Sequence, residues 1–137
     1  MSGSFSDYSE AKILDQVFGG TAWTAPSTLY AALYTAAPSD SGGGTEVSGG
    51  SYARVAVTNN TTNFPAATGT SPTTKNNGTT ITFATATADW GTVVAMAIYD
   101  ASSGGNEIAW CTLTQNKTVS NGDTASFAAN NFSMTLD

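Results

Sequence analysis

Apolar positions recur with two different periods along this chain. Between residues 6 and 18 ("SDYSEAKILDQVF") Ile13, Leu14, Val17 and Phe18 fall on one stripe of a 3.6-residue helix. Ser6 or Asp7 is placed to cap its N-terminus, and Asp7 with Glu10 has capping-box spacing. Both acids sit in the first turn, where the helix dipole favours negative charge. Gly19 and Gly20 end the helix. A helix this short is marginal alone. Leu14 and Phe18 are therefore expected to dock, either on the chain's own body or on another subunit.

After Gly20 the period becomes two. In "TLYAALYT" (28–35), Leu29, Ala31 and Leu33 alternate with Tyr30, Ala32 and Tyr34. "YARVAVT" (52–58) pairs Val55 with Val57, and "TTITFATAT" (79–87) pairs Ile81 with Phe83. "TVVAMAIYD" (92–100) sets Val94, Met96 and Ile98 against Val93, Ala95, Ala97 and Tyr99. Being apolar on both faces, it reads as a central or doubly covered strand. "EIAWCTLT" (107–114) pairs Ile108 with Trp110 and Thr112. "DTASFAA" (123–129) and "NFSMTL" (131–136) close the set, the last with Phe132, Met134 and Leu136 in phase. "SGGN" (103–106), Asn77-Gly78 and Asn121-Gly122 supply hairpin turns. The pattern predicts an all-β fold: a jelly-roll-like antiparallel β-sandwich with one short N-terminal helix. Residues 1–20 read as an N-terminal helical arm and 21–137 as the β-sandwich domain.

Two connections are long, 36–51 and 59–78, and loops of this length often bind. Phe64 is a candidate anchor in the second. The first contains "GGGTEVSGG", with five glycines in nine residues. A phosphate cradle needs a following Lys and a helix N-terminus. Here no Lys follows and the next element, Tyr52 to Val57, alternates as a strand. The stretch is therefore expected to act as a connector that carries Glu46 and Val47 over a sheet edge or onto a neighbour.

Composition narrows the partners. Charged residues make up 10% of the chain, against the usual quarter or so. A surface of short neutral polar side chains loses little entropy when pressed against another protein. The four basic residues, Lys12, Arg54, Lys75 and Lys117, are scattered, and the net charge is −6. Nucleic acid, which draws its affinity from clustered Lys and Arg, is not an expected partner, nor is an anionic membrane surface. No transmembrane run or secretory signal is read from the sequence. The single cysteine, Cys111, points to a reducing compartment of synthesis and a structural thiol.

Candidate chemistry is sparse. The chain has no histidine, so Ser-His-Asp and Cys-His arrangements are impossible and ordinary zinc sites are excluded. The ten acids form no catalytic motif or calcium loop. No enzyme activity, cofactor or metal is expected. Trp90, ahead of a strand in "ADWG", either stacks on a partner or sugar, or caps the core. Arg54 either pairs an acid across a subunit contact or flanks a solvent face.

Several blocks occur together: "FSDYSEAKILDQVFGGTAW", "LYAALYTAAP", "GGGTEVSGGSYAR", "TATADWGTV", "AIYDASSGGN" and "KTVSNGDTASFAA". In this order the chain resembles a family of small virion proteins of tailed bacteriophages, tail-fibre-like or acting as capsid cement. The departure is the Asn/Thr-rich stretch 59–78. The resemblance implies a virion protein, made in the host bacterial cytoplasm, that forms homo-oligomers and contacts the major capsid protein or other virion proteins. Its leading form is a capsid cement protein bracing the shell. A tail-fibre component and a carbohydrate-binding module are the alternatives. The candidate interface residues are Leu14, Phe18, Tyr30, Tyr34, Glu46, Val47, Tyr52, Arg54, Phe64 and Trp90, aromatic side chains being frequent anchors of protein contacts.

Overall fold

Ser6, not Asp7, caps the helix α1 (Asp7–Gly19), and its hydroxyl accepts from the Ser9 amide. Both serines are buried, because they also tie the helix to the sheet. The Ser6 hydroxyl donates to the Glu107 carbonyl and the Ser9 hydroxyl to the Ile108 carbonyl. Gly20, left-handed at φ 64°, closes the other end. The computed structural model describes residues 1–137, apart from the side chain of Ser2.

The remaining elements are strands: β1 (Ser2–Phe5), β2 (Thr28–Ala36), β3 (Thr45–Glu46), β4 (Val55–Thr58), β5 (Thr73–Asn76), β6 (Ile81–Thr82), β7 (Gly91–Tyr99), β8 (Glu107–Val119), β9 (Ser126–Phe127) and β10 (Ser133–Leu136). The chain is thus all-β with one short helix, as the alternation predicts. The main sheet runs β3-β2-β7-β8-β1-β10-β5, with β4 sharing the outer edge of β2. β6 and β9 form a separate ribbon whose Ile81, Phe83 and Phe127 pack into the same core as Leu33, Val93, Met96 and Ile98 of the main sheet. Pairing is antiparallel except between β1 and β10.

β1 has no alternating signature, since "SGSF" carries a single apolar residue. It nevertheless lies inside the sheet, between β8 and β10. Gly3 is required there: a Cβ at this position would fall 2.6 Å from the Met134 sulfur and 2.9 Å from the Trp110 carbonyl oxygen. Close approach, rather than hydrophobicity, selects the residue.

Two phase assignments are corrected by bulges. On β7, Val93 pairs with Lys117 and Ala95 with Thr112, so β8 advances five residues while β7 advances two. The interruption turns Val93 into the core with Met96 and Ile98, and puts Val94 beside Ala95, Ala97 and Tyr99. A second irregularity between Ile98 and Tyr99 separates Ile108 from Trp110: Ile108 joins Ala109 and Cys111 in the core, while Trp110 lies on the opposite face. β8 also runs to Val119, past the expected end at 114, and β5 lies within the stretch read as the loop 59–78. Leu136 is in phase with Phe132 and Met134 but exposed, at the end of β10.

The opposite face of the main sheet is floored by small residues. Ala32, Ala95 and Ala97 are fully buried beneath aromatic side chains. Tyr34 and Tyr99 flank the Ala32–Ala97 row in the register, and their hydroxyls meet at 2.5 Å, so the two rings close over it.

Candidate functional site

The glycine-rich connection ends in a clamp. β3 pairs with β2 at Tyr34 and Ala36, and Val47 then drops into the core. Gly44 permits the bend: its φ is +74°, and a Cβ there would lie 2.5 Å from the Ala36 carbonyl oxygen. The Leu33 amide, on the β2 edge where β3 and β4 leave a gap, donates to the Tyr52 hydroxyl at 2.9 Å. That hydroxyl donates in turn to Glu46 Oε1 at 2.9 Å. Arg54 holds both carboxylate oxygens, Nε to Oε1 and Nη2 to Oε2, each at 2.8 Å. Its Nη1 donates to the carbonyls of Ala101 (3.0 Å) and Gly104 (2.8 Å) in the β7–β8 hairpin. Its guanidinium also stacks 3.7 Å from the centre of the Tyr99 ring. One arginine thus joins the glycine-rich connection, the hairpin and the tyrosine-covered face.

The charges respond accordingly. Burial alone would raise the Glu46 carboxyl, but hydrogen bonds from Arg54 and Tyr52, with the guanidinium charge, outweigh it and hold the group below its ordinary value. Burial pushes the Tyr52 and Tyr99 hydroxyls well above theirs. The Cys111 thiol is pushed up to about 11, again by burial, which leaves it protonated and unreactive at neutral pH.

Behind the clamp, hydroxyls run from Tyr34 to Tyr99 to Glu107 Oε2, the last step being 3.0 Å. Glu107 is 7% exposed and its Oε1 has no hydrogen-bond partner among the described residues. Burial, with the nearby negative charge of Asp40, raises its carboxyl above the ordinary 4.5, although the Tyr99 hydrogen bond and Arg54 oppose the shift. Between pH 4.5 and the raised folded value, folding therefore takes up a proton at Glu107. Its contribution to stability is fully present below pH 4.5 and is lost as pH rises through the raised folded value. Glu107→Gln is expected to remove that slope and to be more stable than the wild type above this window, measured as urea midpoints across a pH series.

Glu107 lines a cleft of about 390 Å³ between the start of α1, the turn at Asp40–Gly42 and the β7–β8 hairpin. No set of three His, Cys, Asp or Glu side chains among the described residues converges closely enough to hold a metal ion. No helix among them is long and apolar enough to cross a membrane.

The clamp brings together Tyr34, Glu46, Val47, Tyr52 and Arg54 of the expected interface residues. Arg54 pairs an acid of its own chain, which neither of its two expected roles had included. Trp90 stands edge-on to Tyr52 at 5.3 Å and its N–H donates to the Gly50 carbonyl. At 5% exposure it caps the core. Phe64 is also in the core, anchoring the 59–78 stretch from beneath. Tyr30 is half-buried beside the tyrosine-covered face. Leu14 and Phe18 stand apart: they are 57% and 84% exposed, with Val17 between them at 66%. The apolar stripe of α1 therefore does not dock on the chain's own body. Tyr99 and Glu107 had no assigned role in the sequence, and Asn77 was expected only in a hairpin turn with Gly78, which does not form because β5 pairs with β10 and β6 with β9. Tyr99 and Glu107 meet across the β7–β8 hairpin only because the register shifts there, while Tyr34, the other partner of Tyr99, and Ala128 and Phe132, partners of Asn77, lie far away in the chain.

The family model described as Podophage GP4 fiber I protein gp80 matches residues 4–135, from β1 through β10. The chain belongs to this family. No curated protein matches it. Membership in the gp80 fibre family makes the chain a structural protein of a tailed-phage virion, produced in the host. The matched span encloses α1, the Arg54 clamp and the Glu107 cleft.

Proposed function

We propose that this chain is a tail-fibre component of the virion and works by adhesion between protein surfaces, without catalysis. The match to a fibre family across residues 4–135 carries this reading, and it favours the fibre over a capsid cement role. Chemistry agrees with it. The conspicuous charged side chain, Arg54, is spent on holding loops, and the thiol is buried and protonated. Trp90, the ring a sugar-binding module would have offered, is closed off.

Contact with other virion proteins, or with further copies, falls to the exposed apolar stripe Leu14, Val17 and Phe18. Such side chains grouped on one helix face gain free energy when a partner covers them. Antibody labelling of whole particles is the direct test. Label along the fibres supports the proposal, whereas label spread over the shell returns the role to capsid cement. Leu14→Asp with Phe18→Asp is expected to cost about 1 kcal/mol, from weaker helix propensity and a negative charge in the last turn of α1, while the folded chain drops out of assembled particles. Unchanged incorporation of the double variant, measured by quantitative mass spectrometry of purified virions, would take α1 out of the interface.

A further inference from the structure

We infer that the Glu107 cleft is a socket for a basic side chain, lysine or arginine, presented by another protein of the virion. The cleft is negative, and none of its carboxylates forms an ion pair within the described residues. Asp7, Asp40 and Glu107 line it, and Asp100 stands behind one wall, tied to Asn106 by hydrogen bonds of 2.7 and 2.8 Å. The N-terminus of α1 adds a partial positive charge to one side, which Asp7 and Glu10 in its first turn already offset. Arg54 pairs with Glu46 in the one ion pair among the described residues. Lys12 sits over the Tyr8 ring, 5.6 Å from its centre. Lys75 and Lys117 do not line the cleft.

The pointer to a ligand is Glu107 itself. One of its oxygens takes the Tyr99 hydroxyl, and the other is buried with no donor. Buried carboxylate oxygens are ordinarily paired. Since three carboxylates do not converge on a point, a metal ion is a poor fit. A guanidinium or ammonium on a flexible stem, with several N–H groups spread over a few ångströms, can instead reach Glu107 and Asp40 together. A second copy of this chain is the less suitable donor, because two chains of net charge −6 repel and each brings few cations. The inference does not depend on which part of the virion the chain occupies.

The test uses the whole chain, isotope-labelled, with methylguanidinium chloride as the probe and sodium chloride at equal ionic strength as reference. Saturable amide shifts at Gly42, Gly105 and Asn106 are expected, with a dissociation constant in the millimolar range suited to a single side chain. The affinity should fall about tenfold in Glu107→Gln, a loss of about 1.4 kcal/mol. Asp40→Asn, which can still accept from the Trp110 N–H, serves as a second variant with the same expectation should the first fail to fold. Non-saturable shifts, or equal affinity in a folded variant, overturn the socket. Tighter saturable binding of calcium chloride at the same amides overturns it in favour of a metal. Salt-sensitive self-association in sedimentation velocity, lost in the variants, overturns the choice of a different protein as donor.

Discussion

Arg54→Ala is expected to lower the unfolding free energy by about 3 kcal/mol, the lower end of the range for removing one partner of a buried, hydrogen-bonded ion pair. In a domain of this size that corresponds to a fall in melting temperature of about 9 °C. The Arg54 side chain is 7% exposed and that of Glu46 27%, so the pair is half-buried and shielded more than a surface pair. Removal of Arg54 leaves Glu46 without its bidentate partner, frees the carbonyls of Ala101 and Gly104, and uncovers the Tyr99 ring. Arg54→Lys should recover less than half of the loss, because an ammonium cannot span both carboxylate oxygens and stack at once. The effect depends on pH in a definite sense. Glu46 has a lowered carboxyl pKa in the folded chain, so its contribution is present above the ordinary value of 4.5 and is lost as pH falls through the folded value. The difference between wild type and Arg54→Ala should therefore shrink in acid. A shift of less than about 2 °C at neutral pH would reduce the clamp to an ordinary exposed pair.

Asn77→Ala is expected to cost about 3 kcal/mol, because it strands buried backbone groups rather than merely losing contacts. The amide donates to the carbonyls of Thr79 (2.8 Å) and Ala128 (2.9 Å) and its oxygen accepts from the Phe132 amide at 2.8 Å. The Asn77 main chain adds bonds to Phe132 and Asn130. Asn77 thus stitches the end of β5 to the segment leading into β10. Asn77→Asp should be at least as damaging, since a carboxylate cannot donate to two carbonyls and its charge would be buried. Thermal melts give the magnitude. Hydrogen exchange should show the Phe132 amide losing protection before the β2 and β7 amides do. Uniform loss across the sheet would mean that Asn77 contributes to global stability without stitching this segment.

Much of the fold was legible in local pattern. The helix announced itself through its stripe and its glycine stop, and the central strands through alternation: Ala31 and Leu33 on one face of β2 and Ala32 and Tyr34 on the other. Where the pattern misled, the cause was specific. The bulges opposite Val93 and near Ile108 shift side chains to the other face, and alternation cannot register an inserted residue. β1 was invisible because its place in the sheet rests on Gly3 fitting between Trp110 and Met134. Trp90 and Phe64 carried the composition of interface anchors, but aromatic residues also close cores. Arg54 was rightly conspicuous as the sole arginine, yet its partner Glu46 lies in its own chain.

Residue types and their short-range spacing decided that this chain is β-rich, sparsely charged, without histidine chemistry, and similar to small phage virion proteins. These are properties of neighbours in sequence, where period and turn preference act directly. The closing of Tyr34 and Tyr99 over an alanine floor, the Arg54 clamp, the unpartnered oxygen of Glu107 and the bare stripe of α1 were decided only in three dimensions. Each depends on which distant segments meet and on how much water they exclude, and neither quantity is written in any window of adjacent residues.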